Sequence, residues 1–194
     1  VGPDGSLYFC TGGRGTDGGV YRIRWTGTAP PQNINFGQGI RAALDQPQLQ
    51  SDWARARIAA VRRNLGERWQ SELERIVTDA ESPQHDRLRA IELLTFFGPA
   101  PSTQLLLQVA SDRDPAVRAR VVRLMGNRTD GEFGDKLLQA LSDNDAWVRR
   151  VACEAVTHRG MESPVPQLLK LLADDDRFVA FAARRALERV PVKQ

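Results

Sequence analysis

The sequence predicts a mainly α-helical chain, a stack of about five helix pairs preceded by an N-terminal β-hairpin. Three observations carry that prediction. One phrase occurs three times, as SDRDPAVR from Ser111, SDNDAWVR from Ser142 and ADDDRFVA from Ala173, so that Asp114, Asp145 and Asp176 stand 31 residues apart, as do Val117, Val148 and Val179. A fixed period of this length marks stacked supersecondary units. Around each phrase, apolar residues return at i, i+4, i+7 and i+8, which places them on one helical face. The first 25 residues show neither feature and are instead patterned like strands.

Residues 6–11 read SLYFCT and residues 19–25 read GVYRIRW, both short and rich in aromatic and β-branched side chains. In the second, Val20, Arg22 and Arg24 alternate with Tyr21, Ile23 and Trp25. That alternation is a strand signal. Pro3-Asp4-Gly5 supplies a turn before the first strand, and GGRGTDGG (12–19) reads as a long glycine-rich loop between the two. A hairpin of two strands is marginal alone in water and needs more sheet or a helical surface. The order GPDGSLYF, a glycine-rich stretch, then GGVYRIRW resembles the last blade of a quinone-dependent glucose/sorbosone dehydrogenase-type β-propeller. The resemblance covers residues 1–25 and implies a larger propeller-containing bacterial protein, periplasmic or extracellular, possessing its catalytic and quinone-contacting residues on blades outside this stretch. The chain starts at Val1 without a basic, apolar leader, as a piece of such a longer protein would. TGTAPPQNINFG, 26–37, has no periodicity and reads as a linker stiffened by Pro30-Pro31. The expected organisation is therefore a hairpin at 1–25, a linker at 26–37 and helical repeats at 38–194.

Ten helices are expected over 38–44, 51–64, 67–78, 84–97, 102–110, 115–125, 132–141, 146–158, 165–172 and 177–190. The last three pairs are the most alike. Their first helices carry leucine ridges, Leu106/Leu107/Ala110, Leu137/Leu138/Leu141 and Leu168/Leu169/Leu172. Their second helices carry stripes, Val117/Val121/Leu124/Met125, Val148/Ala152/Ala155/Val156 and Val179/Ala183/Ala186/Leu187. One pair cannot bury both faces, whereas stacking creates a continuous core. The first two pairs are looser, and DAESPQHD (79–86) replaces the tight acidic turn. Asp-x-x-Val-Arg opening the second helix of a pair of about 30 residues is similar to short, phycobilisome-lyase-like HEAT repeats. That resemblance implies a right-handed α-α superhelix and a protein-interaction role.

Asp114, Asp145 and Asp176 fall at N-cap positions, where a carboxylate accepts from free backbone N–H groups, and Pro115 follows the first at N1, where a missing N–H costs nothing. The HEAT resemblance implies that Arg118 and Arg149 reach the aspartate of a neighbouring repeat, giving an Asp–Arg ladder. Ala180 stands where the ladder expects a third arginine, a departure suited to a terminal repeat. The acidic pairs are not read as catalytic, because catalytic carboxylates occur once and these recur in every repeat. His85 and His158 lie in unrelated repeats, without a nucleophile constellation, and read as surface or loop residues. No Cys/His cluster has metal-ligand spacing, and a Cys10–Cys153 disulfide has no support. No catalytic, cofactor or metal site is assigned.

The remaining candidates are surfaces. The second helices are basic, with Arg55, Arg57, Arg62 and Arg63, then Arg118, Arg120 and Arg123, then Arg149 and Arg150, then Arg184 and Arg185. The resemblance places these helices on the concave face. Such a strip attracts acidic proteins or nucleic acid, or is simply solvated; it lacks interleaved aromatics. Trp147 and Phe178 share one repeat register, with Phe181 one turn on, and either pack between repeats or form an exposed patch that docks a partner. With 41% hydrophobic and 26% charged residues and a net charge of +3, the composition is that of an ordinary soluble domain. No apolar run reaches the roughly 20 residues a membrane span needs. Three function classes stand: a non-catalytic scaffold or interaction module of a larger dehydrogenase-like protein, a nucleic-acid-binding protein like the helical-repeat DNA glycosylases, and a phycobilin-lyase-like role.

Overall fold

A computed structural model describes residues 6–28, 37–159 and 164–190. The turn expected at Pro3-Asp4-Gly5 and most of the expected linker lie outside the described residues. The chain divides into two units, Val1–Asn35 and Phe36–Gln194.

The first unit is an antiparallel hairpin of β1 (Leu7–Gly13) and β2 (Thr16–Ile23). Leu7 faces Ile23, Phe9 faces Tyr21 and Cys10 faces Val20. Phe9 and Tyr21 stack with ring centroids 5.2 Å apart. The glycine-rich stretch is not the long loop its composition suggests. The strands run through it, pairing Thr11 with Gly19 and Gly13 with Thr16, and only Arg14 and Gly15 form the turn. The register shifts between Thr11 and Gly13, and a Cβ on Gly18 would stand 2.4 Å from the Thr11 carbonyl oxygen. Glycine there permits close backbone approach at an irregular rung. The second strand also stops at Ile23; Trp25 lies beyond it, its indole Nε1 donating to the Thr28 carbonyl at 2.9 Å.

Among its described residues the second unit holds ten helices: α1 (Arg41–Leu44), α2 (Asp52–Leu65), α3 (Arg68–Thr78), α4 (Gln84–Phe97), α5 (Thr103–Val109), α6 (Pro115–Gly126), α7 (Phe133–Ala140), α8 (Ala146–Arg159), α9 (Val165–Leu171) and α10 (Arg177–Leu187). Their bounds fall within three residues of the sequence expectation. They stack as repeated pairs: α6 packs on α8, α8 on α10 and α4 on α6, while α4 also meets α1. One apolar core runs through the stack, from Ile58 and Leu73 through Leu94, Val117, Met125 and Val148 to Val179. The second-helix stripes are buried at Val117, Val121, Met125, Val148, Ala152, Val156, Val179 and Ala183. Gly126 lets α6 approach α8, because a Cβ there would lie 2.5 Å from that of Ala155.

The leucine ridges are not equivalent. Leu141 is buried, whereas its counterpart Leu172 and the neighbouring Leu169 are exposed. The second helix ends the stack differently. Val122 and Cys153, 31 residues apart, are both buried, whereas the exposed Arg184 stands at the next 31-residue step.

Candidate functional site

The geometry of the repeated acidic turn decides which arginines are committed to the fold. Each turn contains two aspartates with separate tasks. The second caps a helix: Oδ1 of Asp114 accepts from the Ala116 and Val117 amides at 2.8 and 3.4 Å, that of Asp145 from Trp147 and Val148 at 2.9 and 3.2 Å, and that of Asp176 from Phe178 and Val179 at 2.8 and 3.2 Å. The first aspartate receives the arginine of the preceding repeat. Arg118 donates through Nε and Nη2 to both oxygens of Asp143 at 2.8 and 2.7 Å, and Arg149 to both oxygens of Asp174 at 2.7 and 2.9 Å. The same carboxylates hold the turn by accepting from the amides of Asp145 and Asp176. The ladder partners are therefore Asp143 and Asp174, and not the capping aspartates.

The ladder has an earlier rung that the sequence reading missed. Arg87 lies 31 residues before Arg118, and its guanidinium binds Asp112 through Nη1 and Nη2 while Nε and Nη2 donate to the Val77 carbonyl at 3.1 and 3.0 Å. Its side chain is only 2% exposed. The signal was present in the spacing but hidden, because Pro83 stands at the N-cap of α4 where an aspartate stands in the later repeats. Burial is the largest influence on Asp112 and on Asp143 and pushes both carboxyls up, but the arginines and backbone amides together outweigh it and hold both low. For Asp174 the Arg149 hydrogen bonds dominate and lower it outright. At Ala180 no guanidinium is available, and the ladder ends.

A depression of about 300 Å³ beside the ladder is lined by Asp112, Arg118, Lys136 and Asp143 among others. Within it Arg118 pairs with Asp143, Asp112 is held by Arg87, and Lys136 donates to Ser111 and Gln139, so its carboxylates are committed to the ladder.

The other arginines lie on the second-helix face and are paired more loosely. Arg120 reaches Glu92 at 2.7 Å, Arg123 reaches Glu154 at 3.5 Å and Arg150 reaches Glu154 at 3.0 Å, while Arg184 and Arg185 meet Glu188 at 3.7 and 2.5 Å. Glu92, Arg123, Glu154 and Arg185 occupy one register at 31-residue steps, so the sign of charge alternates along the stack. The strip is less cationic than its arginine content, which weakens the nucleic-acid reading.

Aromatic side chains interleave at its C-terminal end. Phe178 and Phe181 are 51% and 55% exposed. Arg150 and Arg177 lie over the Phe178 ring at 5.7 and 4.7 Å, and Arg184 over the Phe181 ring at 5.3 Å. With Glu154, Thr157, His158, Ala182 and Arg185, these rings line a groove of about 310 Å³ between α8 and α10. A smaller pocket of about 190 Å³ shares Glu154 and His158 with it and continues toward Arg123 on α6. Trp147 is equally exposed but does not line this groove, so the shared register of Trp147 and Phe178 does not bring the two rings into one pocket.

Among the described residues no cluster of three or more His, Cys, Asp and Glu could hold a metal, and no helix is long and apolar enough to cross a membrane. Cys10 is exposed and Cys153 buried, neither in a disulfide, and burial pushes the Cys153 thiol up to about 12, far from a reactive thiolate. Residues 134–193 match the family model for HEAT repeats. No curated protein matches the chain.

Proposed function

We propose that this chain is a non-catalytic interaction or scaffold module, a right-handed superhelix of the short, phycobilisome-lyase-like HEAT kind that presents the α8–α10 groove to a protein partner. One observation carries the reading: two phenylalanines stay half-exposed side by side around a groove between α8 and α10, each with a guanidinium across its ring. The HEAT match over residues 134–193 supports it, since such repeats commonly mediate protein interactions and are generally not catalytic. The reading extends to the context of a larger, propeller-containing dehydrogenase-like protein outside the cytoplasm, with residues 1–25 as blade strands, 26–37 as linker and 38–194 as repeats. In its favour, among the described residues the sheet has two strands, with Leu7, Phe9, Tyr21 and Ile23 along one of its faces, and two strands alone are marginal in water.

A photo-crosslinking residue placed at position 178 tests the interaction role, with the exposed Gln108 on α5 as control site. Position 178 is expected to capture a discrete protein in cells expressing the full protein, and position 108 not to. Capture of nucleic acid at 178, or of nothing above the control, overturns the reading.

A further inference from the structure

The groove carries its own description of what would fill it. Its volume, about 310 Å³, lies at the bottom of the range for small-molecule pockets, so it suits one or two side chains better than a cofactor. Its apolar surface comes from Phe178, Phe181 and Ala182. Its charges are unbalanced. Glu154 is shared by Arg123 and Arg150, and Glu188 by Arg184 and Arg185. Arg177, stacked on Phe178, has no carboxylate partner among the described residues. Asp176, at the start of the same helix, is committed to the Phe178 and Val179 amides. Of the groove's own lining, Arg150 and Arg185 face the single carboxylate of Glu154, and Arg177 at its edge has no ion pair among the described residues, so guanidinium N–H groups remain for a partner's carboxylates.

From this, and resting on the interaction role proposed above, we infer that the groove's occupant is an acidic protein segment. It seats one bulky apolar side chain against Phe178 and Phe181 and sets carboxylates against Arg150, Arg177 and Arg185. Arginine suits this task because its planar fork holds a carboxylate through two hydrogen bonds while its face stays stacked on an aromatic ring. The same arrangement explains why the rings remain exposed. Each has a guanidinium lying across it, which shields part of the ring in the free protein and is already positioned when the segment arrives. Binding to the phosphates of a nucleic acid would use the charge but leave the apolar floor empty.

Selection of a displayed library of short random peptides on the full 194-residue chain tests this directly. The enriched peptides are expected to combine Leu, Phe or Trp with at least two neighbouring Asp or Glu residues. By fluorescence anisotropy, the best of them should bind at least about tenfold more weakly to the F178A/F181A double variant. It should also bind more weakly, and with a shallower salt dependence, to R150Q/R185Q. All four side chains are at the surface, so thermal melting of the variants should match the parent. The inference is overturned if the enriched peptides are basic or uncharged, if F178A/F181A binds them unchanged, if duplex DNA competes for the groove, or if nothing is enriched. If crosslinking at position 178 nonetheless captures a protein, the interaction role stands and only the acidic partner is wrong.

Discussion

The same helices carry two sets of arginines with opposite fates. Arg87, Arg118 and Arg149 point to the turn edge, where their side chains are 2%, 16% and 18% exposed and each grips both oxygens of one carboxylate in the next repeat. Arg120, Arg123, Arg150, Arg184 and Arg185 lie on the second-helix face, more open to solvent and each pairing with a single glutamate that is often shared. Residue type does not separate the sets. Enclosure does: a neighbouring repeat closes over the first set and leaves the second in water. Enclosed pairs are expensive to break singly and open pairs are cheap. The first set therefore belongs to the fold, and the second is available for recognition.

The largest effect should come from the most enclosed rung. Arg87→Ala would leave the Asp112 carboxylate and the Val77 carbonyl facing a void between repeats, and removal of one partner from a buried ion pair costs about 3–5 kcal/mol. Urea unfolding of the variant should show a loss of that order. A loss below about 1 kcal/mol, the range of an exposed pair, would mean the ladder does not hold the stack.

Acid should then act on the same edge. The carboxyls of Asp112, Asp143 and Asp174 all titrate lower in the fold than in the unfolded chain. The stability they contribute is fully present above the unfolded value of about 3.9, and it drains away as pH falls through the folded values. Melting temperature should hold between about pH 7 and pH 5 and decline below pH 4. The D143N/D174N variant should melt lower at neutral pH yet show a shallower acid decline. An acid limb equal to that of the parent would place the sensitivity elsewhere.

Much of the ladder edge was legible because the turn must be rebuilt in every repeat, and 31-residue spacing exposes whatever is rebuilt. The split of labour within each acidic pair was not, since Asp143 and Asp145 look equivalent until an arginine arrives from another helix. Arg87 escaped because the motif was anchored on the capping aspartate, which α4 lacks. Leu172 resembled its buried counterpart Leu141 because a period reports the pattern of a face and not what covers it. The glycines at 12–19 were read as loop from composition, although their register with Thr11 and Thr16 makes them strand. The groove had the faintest signature. It forms where α8 and α10 meet, and its only trace in the sequence is an alternation of charge at 92, 123, 154 and 185, visible once the repeats are aligned.

A smaller effect is expected from the caps, which share the turn with the ladder but face only backbone. Asp145→Ala removes the carboxylate oxygen that accepts from two amides at the start of α8 and leaves Asp143 in place for Arg118. Such a change typically costs about 1 kcal/mol. Chemical denaturation should therefore rank Arg87→Ala above Asp145→Ala. The reverse order would mean that helix capping, and not the inter-repeat ion pair, is the main work of the repeated phrase.

The smallest effect should come from the open set, and it is the most informative about function. Arg123→Gln removes a guanidinium that meets Glu154 at 3.5 Å with its side chain half-exposed. Arg150 still satisfies that glutamate at 3.0 Å. Exposed pairs contribute about 0–1 kcal/mol, so unfolding of Arg123→Gln should differ from the parent by less than about 0.5 kcal/mol. Arg185→Gln should behave alike, because Arg184 remains beside Glu188. If either variant unfolds as readily as a ladder variant, its arginine is holding the helices together, and the division between structural and available arginines fails. If both are neutral, the chain holds arginines that its stability does not require beside two phenylalanines that its core does not use, as a recognition surface would.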